Sequence, residues 1–118
     1  ALQGKMSYVS RQNQAGKWVQ PGPESFQAAA ASADWANAKD FYLVMTDAPG
    51  EASWPIAATN FILVYKQPKD AARSKAVLDF FSWVYSDGRA QAEALHYVPL
   101  PESLVTQVKE YWSANIKL

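Results

Sequence analysis

The run Phe61-Ile62-Leu63-Val64-Tyr65-Lys66 constrains the fold more than any other stretch. It is rich in β-branched and aromatic residues, and it is apolar on both alternating faces. That is the pattern of a sheet strand covered on both sides, since an edge strand would show a polar face. Gln67-Pro68-Lys69 closes the strand, and a helix then runs to about Tyr85 with Asp70 as its cap. Val77, Leu78, Phe81, Val84 and Tyr85 share the face of a helix packed on a core. Phe80 and Trp83 widen that stripe toward a second surface. A sheltered strand leading directly into a buried helix indicates an α/β fold.

The remaining elements follow from local chemistry. Met6–Ser10 and Lys17–Gln20 read as hairpin arms around a polar loop in which Gly16 can take positive φ. Pro21, Gly22 and Pro23 end the second arm. Pro23 then suits the first turn of a helix over Glu24–Ala33, whose face is Phe26, Ala29, Ala30 and Ala33. Asp34 to Ala38 is a turn, and Phe41 to Met45 is extended, with Phe41, Leu43 and Met45 on one side. Pro49-Gly50 marks a loop. Asp87-Gly88 separates the long helix from a short one over Arg89–Leu95, and His96 to Pro101 forms a rigid connection. A last helix, Glu102–Asn115, buries Leu104, Val105, Val108, Tyr111 and Trp112.

Composition removes several function classes. Eleven basic residues balance eleven acidic ones, so no strong field draws the chain to nucleic acid, and none is expected as a partner. Cysteine is absent, which excludes disulfides and thiolate metal clusters. No stretch reaches the roughly 20 apolar residues of a membrane span. The start, Ala1-Leu2-Gln3-Gly4-Lys5, has no signal-peptide core and reads as that of a mature or truncated product.

Each candidate for chemistry has a plainer competitor. His96 is the single histidine, and Ser103 is the nearest plausible nucleophile, but Ser103 lies at a helix start without a nucleophile-elbow context. A structural or surface histidine explains His96 better, so no enzyme is expected. Asp34, Asp40 and Asp47 lack the alternation of a calcium loop and fit helix ends and turns. Neither Asp70-Ala71-Ala72-Arg73-Ser74 nor Gly50-Glu51-Ala52-Ser53 has phosphate-loop spacing, and Arg73 reads as a solvated helix side chain. No metal or cofactor is expected. The cluster Trp54-Pro55-Ile56-Ala57-Ala58-Thr59-Asn60 is of architectural interest: a rigid corner and small residues suit a segment crossing between domains.

These last residues, read on through Lys66, resemble the periplasmic phosphate-binding proteins of phosphate-uptake ABC transporters. Val77-Leu78-Asp79-Phe80-Phe81-Ser82-Trp83-Val84-Tyr85, Tyr97-Val98-Pro99-Leu100-Pro101-Glu102-Ser103 and Trp112-Ser113-Ala114-Asn115-Ile116-Lys117 extend the likeness in order. The similarity runs from Met6 to Lys117, over the carboxy-terminal portion of such a protein. It implies a two-lobed, type II-like α/β binding protein with helices packed on a mixed sheet, in which residues 1–53 form part of the second lobe, 54–60 cross between lobes, and 61–118 form part of the first. It implies further that inorganic phosphate sits in the interlobe cleft, with its ligands in the preceding amino-terminal part. Arg73, Asp70 and Thr59 match no ligand position, so no phosphate-binding residue is expected here. The implied partners are that amino-terminal part, phosphate and a membrane permease, and the implied location is the periplasm. The competing reading is a structural or interaction domain that reuses the scaffold without binding phosphate.

Overall fold

A computed structural model describes residues 4–118; the opening Ala1-Leu2-Gln3, part of the stretch read as lacking a signal core, lies outside the described residues. The chain divides into two compact units, Ala1–Thr59 and Asn60–Leu118.

In the first unit a hairpin pairs β1 (Arg11–Gln12) with β2 (Trp18–Val19), Arg11 facing Val19 and Gln12 facing Trp18. The expected arms were Met6–Ser10 and Lys17–Gln20, so the first is displaced toward the turn. The turn chemistry accounts for the shift. The Gly16 N–H closes on the Asn13 carbonyl at 2.9 Å, Gly16 takes φ +76°, and the Asn13 N–H reaches the Lys17 carbonyl at 2.9 Å. This tight reversal fixes register from Gln12 outward and leaves Met6–Ser10 without a ladder.

Helix α1 spans Pro23–Ser32, with Pro23 in its first turn and Gly22 extended before it. The Ser25 hydroxyl accepts from the Gly22 N–H at 3.1 Å and donates to the Gln20 carbonyl at 2.7 Å. Ala29 and Ala30 are buried, as the small-residue face anticipates. Trp35 closes the helix end, its indole N–H donating to the Ala30 carbonyl at 2.6 Å. Short 3-10 turns follow at Trp35–Asn37 and Lys39–Phe41. Phe41 was expected to begin an extended stretch, but its φ of +59° places it in the second turn. Beyond it the anticipated alternation holds: Leu43 and Met45 turn inward, while Tyr42 and Val44 are exposed.

The second unit is helical: α2 (Ala71–Val84), α3 (Arg89–Ala94) and α4 (Glu102–Asn115). Asp70 caps α2, its Oδ1 accepting from the Arg73 N–H at 2.9 Å. At the other end the Gly88 N–H reaches the Trp83 carbonyl at 2.9 Å, and a Cβ on Gly88 would lie 2.9 Å from the Val84 Cα. Only glycine permits so close a return of the chain. Leu78, Leu104, Val105 and Ile116 are buried, and Tyr85 stacks on Trp112 at 5.9 Å, joining α2 to α4. Burial pushes the Tyr85 hydroxyl above the ordinary tyrosine pKa.

The strand expected at Phe61–Lys66 belongs to no sheet among the described residues, where the hairpin is the one ladder. Its carboxyl end is tied down, the Lys66 carbonyl accepting from the Lys117 N–H at 2.9 Å. Leu63 is 95% exposed and Tyr65 81% on one face, and Ile62 (49%) and Val64 (40%) are exposed on the other, so both apolar faces of the run lie open. A strand needs a second backbone to pair with, and this unit supplies helices. The mixed sheet therefore does not appear among the described residues. Phe80 and Trp83, stacked at 6.0 Å, also remain largely exposed.

Contiguous exposed apolar chain drives association. The isolated 118-residue chain is expected to self-associate in sedimentation velocity, and Leu63→Lys to shift it toward monomer without lowering its melting temperature. An unchanged sedimentation profile would show that this run does not mediate association.

Candidate functional site

The residues singled out for chemistry do not converge. His96 is exposed with φ +62°, just beyond α3. Its N–H bonds to the Glu93 carbonyl and the Tyr97 N–H to the Ala92 carbonyl, both at 2.9 Å. This is a Schellman closure with His96 in the left-handed position usually taken by glycine. Ser103 is exposed in the first turn of α4, and no hydrogen bond among the described residues joins it to His96. The histidine ends a helix.

The three aspartates are equally local. Asp34 caps a 3-10 turn, receiving the Asn37 side-chain amide at 2.8 Å. Asp40 and Asp47 take positive φ, and the Asp47 N–H donates to the Pro55 carbonyl at 2.8 Å. No cluster of three potential metal ligands occurs among the described residues. Arg73 lies 3.9 Å from Asp70 with most of its side chain in solvent, a pairing of small energetic consequence.

The one concentrated polar arrangement lies around Asn13, which sequence reasoning treated as part of a polar loop. Asn13 is buried. Its Oδ1 accepts from the Lys17 N–H at 2.9 Å, while Nδ2 donates to the carbonyls of Gly50 (3.2 Å), Glu51 (2.9 Å) and Ser53 (3.1 Å). Two amide hydrogens thus serve three acceptors, each some 40 residues away in sequence. Ser53 is fully buried; its hydroxyl donates to the Pro49 carbonyl at 2.9 Å and lies 3.0 Å from the Ser32 hydroxyl. Gly50 holds φ +122°, and a Cβ there would come 2.7 Å from the Ser53 Oγ.

This turn carries the Trp54-Pro55 corner. The Trp54 N–H donates to the Ser25 carbonyl at 3.0 Å, and the indole meets Phe26 edge-on at 6.3 Å. Trp54, Pro55 and Ala57 are buried while Ile56 is exposed. The Thr59 Oγ1 is buried without a hydrogen-bond partner. The 49–55 stretch is therefore fastened to the hairpin and to α1, and every donor of Asn13 is spent internally. Lys17 and Glu51, 4.0 Å apart, are exposed at its rim. No set of free donors converges here on an anion; what this arrangement does is hold backbone in place. An asparagine in a turn is a visible signal, but its distant acceptors are not.

No family model matches the chain. It is 63% identical over 117 residues to the phosphate-binding protein PstS of Xylella fastidiosa, covering 99% of this chain and 32% of that protein. It is 41% identical over 117 residues to PstS of Pasteurella multocida and 42% over 117 residues to PstS of Haemophilus influenzae. The chain spans about a third of the length of the curated relatives it matches.

Two substitutions test these local assignments. His96→Gly should stabilise the chain by about 0.5–1 kcal/mol, because glycine removes the left-handed penalty. Gly50→Ala should destabilise it by about 1–3 kcal/mol through backbone strain and the clash with Ser53. Urea denaturation measures both, and a destabilising His96→Gly would show that the imidazole makes contacts of its own.

Proposed function

We propose that this chain, which belongs to the PstS-like phosphate-binding proteins and matches a carboxy-terminal portion of them, builds scaffold and interlobe crossing for the binding step of phosphate import. The observation that carries this reading is the match to PstS of Xylella fastidiosa along 99% of the chain. The whole protein would capture inorganic phosphate in the periplasm and present it, enclosed between two lobes, to a membrane permease. The step is non-enzymatic: binding and release, with no bond made or broken.

Residues 1–53 would belong to the second lobe, 54–60 would cross, and 61–118 would belong to the first. The division of the chain into compact units at Thr59–Asn60 supports this, since it falls inside the proposed crossing. Small residues on either side of Thr59 suit a segment that must bend without steric cost. The exposed run Phe61–Tyr65 is explained as a strand whose sheet is completed by the rest of the protein.

The phosphate ligands would come from the remaining length of such a protein. High affinity for a small anion needs several donors aimed at one desolvated point. The donors around Asn13 already serve the chain's own carbonyls, and Arg73 stands in solvent.

Calorimetric titration separates the parts. The intact protein should bind phosphate with heat that saturates at one equivalent, whereas the 118-residue chain alone should give only dilution heats. Specific micromolar binding by the isolated chain would overturn the placement of the ligands elsewhere.

A further inference from the structure

The carboxamide of Asn13 is the buried donor at the turn formed by residues 50–53. Three backbone carbonyls, of Gly50, Glu51 and Ser53, point at one nitrogen. Without a donor between them, three like-oriented dipoles would face one another in a buried space. The turn would then have to open and admit water. Ser32 and Ser53 close the same turn from the α1 side, and the Trp54 N–H and Pro55 carbonyl carry the constraint forward to the corner. Beyond Pro55 the ties thin out, with Ile56 exposed and the Thr59 hydroxyl unpartnered. The fastened part of the chain therefore ends just where the proposed crossing begins to bend.

We infer that Asn13 is a positioning residue for phosphate binding: by clamping the 49–55 stretch to the first unit, it fixes where the crossing segment departs, and so sets the balance between open and closed forms of the intact protein. The inference rests on the crossing role proposed above for residues 54–60. Asn13 touches no ligand. Its effect is on the population of the closed state, and an apparent affinity is the intrinsic one reduced by the fraction of molecules able to close. A loose departure point adds conformations in which the lobes do not meet in register, and each lowers that fraction.

The test uses the intact protein, with inorganic phosphate as probe, at a temperature where every variant is folded. Asn13→Asp keeps the size and the Oδ1 acceptor but replaces the amide donor with an oxygen facing three carbonyls. Its apparent Kd for phosphate should rise about fivefold or more, within the usual range of coupling between distant sites. Phosphate-induced compaction in small-angle X-ray scattering should shrink in parallel. Ser32→Ala, a milder change on the same turn, should move both readouts in the same direction by less, and it decides the matter if Asn13→Asp does not fold. Leu78→Ala, in the buried face of α2, controls for stability alone: it should lower the melting temperature and leave the Kd unchanged. If Asn13→Asp and Ser32→Ala melt earlier yet bind phosphate like the wild type, the clamp is purely structural and the inference falls while the transport reading stands. If the wild-type intact protein does not bind phosphate, both fall together.

Discussion

The buried side chain of Asn13 fastens the hairpin of the first unit to the turn at 50–53. Helix α1 and the hairpin are both local structures and could form in many relative arrangements. What selects one is the 49–55 stretch, held to α1 through Ser25, Phe26 and Ser32 and to the hairpin by the Asn13 carboxamide, which reaches across some 40 residues. The carboxamide's energetic weight lies less in the hydrogen bonds gained than in the cost of leaving them unmade. Each bond adds about 0.5–1.5 kcal/mol net, but a buried carbonyl without a donor costs about 1–3 kcal/mol. Gly50 belongs to the same solution, because its backbone conformation and the space beside Ser53 both exclude a side chain. The unit has few large buried residues, Trp35, Met45 and Trp54 among them, so polar closure carries a greater share of its specificity.

The second unit is organised differently. Its helices meet through apolar contacts, with Leu78, Leu104 and Val105 inside and Tyr85 stacked on Trp112. Its turns are set by backbone conformation: Gly88 where the chain returns too close for a Cβ, and His96 where a left-handed residue ends α3. The histidine illustrates how a residue type rich in chemical possibility can serve as punctuation. Nothing about the imidazole is needed there, and the two backbone bonds around it are what α3 requires.

Helices were legible in the sequence because their information is local. The Asp70 cap, the Pro23 start, the spacing of Leu104, Val105 and Val108, and the stop at Asp87-Gly88 each act within a few residues. The four helices consequently lie where expected to within a residue or two. The hairpin was legible in kind but not in register, since register depends on how the Asn13–Gly16 turn closes. The Asn13 clamp was illegible: asparagine marks a turn, but nothing in Arg11-Gln12-Asn13-Gln14 points to its acceptors at Gly50, Glu51 and Ser53. Convergent catalytic or metal sets need particular residue types, and one histidine with no cysteine leaves few combinations.

The run Phe61–Lys66 shows why strand prediction and strand formation are separate matters. Composition decides whether a segment can lie in a covered sheet; pairing decides whether it does. A helix satisfies its backbone from within, so a piece of a protein can keep its helices. A strand takes its hydrogen bonds from another segment, often one far away in sequence, and loses them when that segment is elsewhere. The chain spans about a third of its relatives' length and keeps all its anticipated helices, while among the described residues its ladder is two residues deep. The same asymmetry explains why both faces of this run can be apolar and yet exposed. Sequence records the environment for which a segment is suited, and pairing with another segment decides whether that environment is met.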